Sequence, residues 1–278
     1  MKFITFLCLA LMLIRVGFSG PAVPGMQTGS LLSTVEQIQE DFQNVPCRLK
    51  DRQVGVRALF SKKGAPDDAL VIEKRDNVEN LVIRRASESE ETIVIGAHYA
   101  HIDRGCGAID NWTGIVTLAH LYRSIRQVPV HKTVLFVAFG KEEEGLLGSK
   151  AMVRTIRKDD VPRYCAMINI DSFGLSQPFA LANASSKKMM ALAKSTAEEL
   201  KIPFYTVPIQ QGDSDSSSFI DKGIPAVTLS GLSNDWKTIL HTNNDQPAKV
   251  IPLSVYLGYR LALLMWKNID QEQCSAYR

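Results

Sequence analysis

Five short apolar runs constrain this chain more than any other feature. They are "LVIRR" (81–85), "TIVIGA" (92–97), "TVLFVAF" (133–139), "CAMINI" (165–170) and "PAVTLS" (225–230). Several are apolar at consecutive positions, so neither face of the strand would meet water, which is the pattern of buried parallel strands. Segments with helical periodicity separate them, at 112–127, 145–157 and 185–200, and another at 252–267 closes the chain. Alternation of this kind implies an α/β fold: a three-layer sandwich with a central, mostly parallel mixed sheet and helices on both faces. A first helix is expected over 30–44, where Leu31, Leu32, Val35, Ile38 and Phe42 share one face and Ser33 with Glu36 fits a capping box. With 278 residues and no internal repeat or Pro/Gly linker, one domain over 23–278 can bury a sizeable core.

In such sheets ligands bind beyond the carboxyl ends of the strands, so the residues just past each strand carry the most information. His98 comes after 92–97, the run Glu142, Glu143, Glu144 after 133–139, and Asp171 after 165–170. The segment after 225–230 leads to "ILHTNND", with His241 and Asp245. Any one of these is ordinary loop solvation; three in succession beside glycine-rich turns form a pattern. Asp110 comes twelve residues after His98, with glycines at 105, 107 and 114 around it. Imidazole and carboxylate donors from His98, Asp110, Glu143, Asp171 and His241 suit zinc, and a carboxylate can bridge two ions. Such a pair shares and acidifies a water. A neighbouring carboxylate that is not itself bound, here Glu142, suits the general base. His101 reads as a loop or rim residue, and His120 and His131 as structural or exposed. Asp213 and Asp215 sit in a turn-forming stretch, with Asp215 as support behind the site or as turn chemistry.

"AFGKEEEGLLGS" resembles the EE-x-G-L-x-G-S signature of the zinc-dependent aminopeptidase family that also contains glutamate carboxypeptidases and glutaminyl cyclases. "GAHYA…GAIDNWTG", "MINIDSFG", "SDSSSFIDKGIPAV" and "ILHTNND" fall in that family's order, and the resemblance spans roughly residues 75 to 265. It implies a zinc exopeptidase sandwich of the phosphorylase-hydrolase-like kind. One zinc would sit on His98, Asp110 and Asp171 and a second on Asp110, Glu143 and His241, with Glu142 as base. It also implies a cis peptide between Asp110 and Asn111. The chain departs at Ala100, where the family has an aspartate that orients the first histidine. Loss of such a partner typically costs about 10–100-fold in metal affinity or activity, so the His98/Asp171 zinc is expected to bind more weakly.

The resemblance thus implies an exopeptidase acting on peptide substrates, most simply an aminopeptidase. Two alternatives stand beside it: a glutaminyl-peptide cyclotransferase using one zinc at Asp110, Glu143 and His241, and a weakened peptide-binding homologue. The N-terminus has a basic start at Lys2, an apolar stretch from Phe3 to Ile14 and small residues after it. That reads as a signal peptide over 1–19, cleaved near Ser19 or Ala22, and as a secreted or periplasmic protein. Without those nineteen residues, which contain Lys2 and Arg15, 30 basic residues face 29 acidic ones. Nucleic acid is therefore not expected as a partner. Cys47, Cys106, Cys165 and Cys274 allow three disulfide pairings; the positions of Cys47 and Cys274 near opposite ends suggest a terminus-to-terminus staple.

Overall fold

The apolar runs form the centre of an eight-stranded sheet in the computed structural model, which describes residues 31–209 and 212–278. β3 (Thr92–His98) and β4 (Thr133–Phe139) are buried at every position. They pair in parallel; β3 also pairs in parallel with β5 (Tyr164–Ile170), and β5 with β8 (Ala226–Ser230). β2 (Val78–Arg85) runs antiparallel to β4, and β1 (Leu70–Arg75) antiparallel to β2. On the far side, β6 (Phe179–Leu181) runs antiparallel to β8 and carries the two-residue β7 (Thr206–Val207). The order is β1-β2-β4-β3-β5-β8-β6-β7.

Side-chain alternation assigns each strand residue to a layer. Ile93, Ile95 and Ala97 of β3, with Val134, Phe136 and Ala138 of β4, enter the larger core. There they meet α3 (Thr113–Ile125) and α7 (Pro252–Gln271). Ile38 of α1 (Val35–Glu40), Phe60 of α2 (Arg52–Lys62) and Ala193 of α5 (Lys187–Glu199) extend that layer. Val94, Leu135, Val137 and Phe139 point the other way. They pack with Met152 of α4 (Leu147–Thr155) and Phe219 of α6 (Ser216–Asp221). The three-layer α/β sandwich is therefore present, with helices on both faces.

The first helix is shorter than its periodicity implies, and its capping box lies one residue later. The Thr34 hydroxyl accepts from the Gln37 amide, and the Gln37 side chain accepts from Thr34 N–H. Ser33 is drawn inward instead: its hydroxyl meets His120 Nδ1 at 2.6 Å and its amide donates to the Tyr259 hydroxyl. The cysteine pairing also differs from the end-to-end staple. Cys47 bonds Cys106, and Cys165 bonds Cys274. Cys274 comes back from the last helix to the start of β5, while Cys47 lies against the loop after β3. The segment 1–19, read as a signal peptide, lies outside the described residues.

Candidate active site

Parallel pairing brings the ends of β3, β4 and β5 to one edge of the sheet, so their terminal residues converge. His98 closes β3, Asp171 comes directly after β5, and Glu142 and Glu143 lie just past the turn after β4. The loop after β3 returns Asp110 to the same point through a cis Asp110–Asn111 peptide. His241 arrives from the segment after β8 with a positive φ of 60°. Non-glycine residues in that conformation concentrate at functional sites.

The Asp110 carboxylate lies between the two histidines. Its Oδ1 is 3.2 Å from His98 Nε2, and its Oδ2 is 3.0 Å from His241 Nε2. Asp171 Oδ1 is 3.5 Å from His98 Nε2, and Glu143 Oε2 is 3.2 Å from His241 Nε2. Two triads result, His98–Asp110–Asp171 and Asp110–Glu143–His241, each tight enough to offer its atoms to one metal ion. The donor set and its shared carboxylate fit a pair of zinc ions. Glu142 Oε2 stands 4.0 Å from His98 Nε2.

The electrostatics come from packing carboxylates around a buried His98 and a half-exposed His241. Burial alone would raise the Asp110 carboxyl, but hydrogen bonds from His241 and His98 outweigh it and hold it well below the usual range. His241 is pushed up to about 10 by its hydrogen bonds to Asp110 and Glu143. Burial works against a charged His98, yet Glu142, Asp110 and Asp171 together raise it well above its ordinary value. Glu142 is itself raised well above the carboxylate range, first by burial and then by Asp215, Asp171 and Asp110.

His98 does have an orienting partner despite Ala100. Its Nδ1 lies 2.9 Å from the Ala100 carbonyl. A carbonyl only accepts, so Nδ1 carries a proton, and Nε2, which faces Asp110 and Asp171, is the atom that would meet a metal. Asp103 remains exposed on the loop. The backbone thus supplies the orientation, though not the negative charge, of the missing aspartate.

Several supporting residues had little or no individual signal in the sequence. Asp245 accepts from the Ile109 amide at 2.7 Å and the Asp110 amide at 3.1 Å. Asn111 bridges the loop to the end of β5, donating to the Ile170 carbonyl and accepting from the amides of Gly114 and Ser172. Ser214 donates to Asp171 Oδ2 at 2.6 Å and accepts from Asn169. Asp245 stands four residues after His241 in "HTNND", the one available hint. Asp215 lies fully buried behind the site, and burial pushes its carboxyl to about 7. Its oxygens find no hydrogen-bond partner among the described residues. The nearby Ser149 hydroxyl bonds Leu146 and Ser218 instead. His101 lies in the loop after β3, buried against the Ile102 carbonyl, and joins neither triad. His120 is buried against Ser33 and Asp41, and His131 is exposed beside Asp270. Cys106 is half of a disulfide.

The triads line a cavity of about 720 Å³, whose walls also include Leu181, Leu232, Trp236 and Leu240. Among curated proteins, the chain is 30% identical to Aminopeptidase YwaD of Bacillus subtilis over 146 residues, covering 50% of this chain and 32% of that protein. It is 25% identical to Aminopeptidase Y of Saccharomyces cerevisiae over 196 residues, covering 66% of this chain and 35% of that protein. The chain thus spans about a third of the length of these relatives. Among solved structures, the LapA aminopeptidase of Legionella pneumophila matches with a TM-score of 0.73 at 19% identity, covering 86% of this chain and 71% of that one. A glutaminyl cyclase from an Acidobacteriales bacterium matches with a TM-score of 0.69 at 15% identity, covering 85% and 93%. These two establish the fold alone. The profile of Peptidase family M28 matches residues 80–257, a span that begins within β2 and contains all five clustered donors, and the chain belongs to that family.

Proposed function

We propose that this peptidase is a zinc-dependent exopeptidase, an aminopeptidase that removes N-terminal residues from peptides. In this reading His98, Asp110 and Asp171 hold one zinc, Asp110, Glu143 and His241 hold a second, and Glu142 is the general base. The carrying observation is the Asp110 carboxylate, whose two oxygens face two different histidines at 3.2 and 3.0 Å. When bound, a zinc pair would acidify a water and offset charge growing on the scissile carbonyl. The chain's own groups move the proton. Glu142 lies beside the two triads and belongs to neither; burial among other acids makes it a stronger base than an ordinary carboxylate. It would take the proton of the attacking water and return it to the leaving amine. Leu181, Leu232, Leu240 and Trp236 give the cavity an apolar wall suited to an apolar side chain at the residue removed. Two disulfides support a secreted or periplasmic setting.

The test is zinc content per chain together with turnover of a peptide panel with free, acetylated and glutaminyl N-termini. Hydrolysis confined to free N-termini supports the reading. Cleavage of acetylated peptides from the carboxyl end would make the chain a carboxypeptidase. Pyroglutamate release would favour the cyclotransferase with a single zinc, and zinc binding without turnover would leave a peptide-binding homologue.

A further inference from the structure

Arg52 is the largest fully buried side chain, with no measurable exposure, and it takes no part in the chemistry above. It opens α2 and reaches the loop that carries Asp110. Its Nη2 donates to the Cys106 carbonyl and, at 3.0 Å, to the Gly107 carbonyl. The guanidinium lies 5.0 Å from the centre of the Trp112 ring. No carboxylate touches it, and Nε and Nη1 have no partner among the described residues. A buried cation without an ion-pair partner is costly, so its retention calls for a reason beyond packing.

The loop explains it. Along residues 106–110 the carbonyls of Cys106 and Gly107 face Arg52, while the amides of Ile109 and Asp110 face the Asp245 carboxylate. The Cys106 amide also donates to the Asp245 carbonyl at 2.7 Å. A positive group thus grips one set of backbone dipoles and a negative group the other. Arg52 and Asp245 attract through the loop between them, and Arg52 also feels Asp110. The fit leaves no spare room. Gly107 has a φ of 59°, and a Cβ there would lie 2.8 Å from Arg52 Nη2 and 2.6 Å from His101 Cβ.

We propose that Arg52 is a positioning residue for the metal pair: by holding the Cys106 and Gly107 carbonyls against the pull of Asp245, it sets where the Asp110 carboxylate stands between His98 and His241. The proposal rests on the two-metal reading above. It makes a demand that a merely structural arginine would not. Metal affinity and ligand geometry must change in protein that is still folded.

The experiment uses the full chain stripped of metal, with zinc affinity measured by competition against a chelator. It adds the visible spectrum of the cobalt(II)-substituted protein and the melting temperature of the metal-free form. Arg52→Met keeps the bulk and removes the donors and the charge. Arg52→Lys keeps the charge, but a compact ammonium cannot reproduce the guanidinium fork. Zinc dissociation constants should rise about 10–100-fold in Arg52→Met, the usual effect of losing a group that orients ligands, and by less in Arg52→Lys. The cobalt spectrum should shift in both. A folded Arg52→Met with wild-type zinc affinity and cobalt spectrum overturns the proposal, even if it melts at a lower temperature. If Arg52→Met does not fold, Arg52→Lys decides by the same two readouts. A wild-type chain that binds no metal overturns both this proposal and the metallopeptidase reading; a metal-binding wild type with indifferent Arg52 variants sinks only this one.

Discussion

Replacing Glu142 by glutamine preserves shape but removes the proton acceptor. Zinc content of Glu142→Gln should match the wild type while turnover falls on the order of 10²–10⁴-fold. Glu143→Gln, which alters the side chain 3.2 Å from His241, should lose metal as well as turnover. Metal analysis beside initial rates distinguishes these neighbours, and near-normal turnover in zinc-loaded Glu142→Gln would end the base assignment. At Ala100 the expectation is narrower than the sequence implies, because the Ala100 carbonyl already fixes the His98 ring. A carboxylate would add charge to that bond. On the proposed two-zinc reading, Ala100→Asp should therefore strengthen binding at the His98 and Asp171 site by about 10-fold, the lower end of such effects. Two indistinguishable zinc affinities in the wild type, unchanged by the substitution, would show that a neutral carbonyl suffices. Most of the five clustered donors were legible because they end or closely trail an apolar run. Asn111 and Ser214 were not, and Asp245 showed only as a neighbour of His241, because they act through hydrogen bonds to residues 43 to 136 positions away or through local backbone that only the folded loop creates.

The central strands were readable from their apolar runs, and the edges were not. β1 leaves Val71 and Ile72 exposed, and β7 has two residues, too few to show a period. α2 escaped notice because its buried face includes a charged Arg52 beside Val56, Leu59 and Phe60. The contact between α1, α2 and α3 is equally polar. The buried Asp41, just past α1, meets Lys62 at 2.7 Å, Lys63 at 2.5 Å and His120 Nε2 at 2.8 Å. Burial alone would raise this carboxyl, but the bonds from His120, Lys62 and Lys63 carry it far below its ordinary value. A depressed carboxyl contributes stability above its unfolded pKa of about 3.9 and loses it as pH falls toward the folded value. Asp41→Asn should cost about 3 kcal/mol near neutrality, as removal of one buried ionic partner does. Its urea-unfolding free energy should also decline less steeply than the wild type's below about pH 4. Parallel slopes in the two proteins would mean that Asp41 is not a source of the acid sensitivity.

Across the whole molecule, the cysteine pairing was the part the sequence could not choose. Distance along the chain says nothing of which loops fold against each other, and the structure joins Cys47 to the loop after β3 and Cys274 to the start of β5. The second bond spans 109 residues and ties the end of the chain to the central sheet. Loss of such a disulfide typically costs about 2–5 kcal/mol, so Cys165→Ala with Cys274→Ala should melt lower while keeping its zinc affinity. The first bond differs, because Cys106 is four residues from Asp110. Its partner Cys47 is exposed, so a reductant can reach that sulfur. For a chain that takes up zinc as proposed above, this position favours one order of maturation. A chain oxidised first meets zinc with its ligand loop already fastened. A chain that meets zinc while its thiols are free offers Cys47 and Cys106 as rival soft ligands. Refolding in zinc with reductant, and oxidising afterwards, should therefore yield less active protein than the reverse order, with the difference reduced in the Cys47→Ala, Cys106→Ala double variant, which keeps only the Cys165 and Cys274 thiols. In an oxidising compartment, disulfide closure before metal loading would keep the thiols from ever competing for the ion.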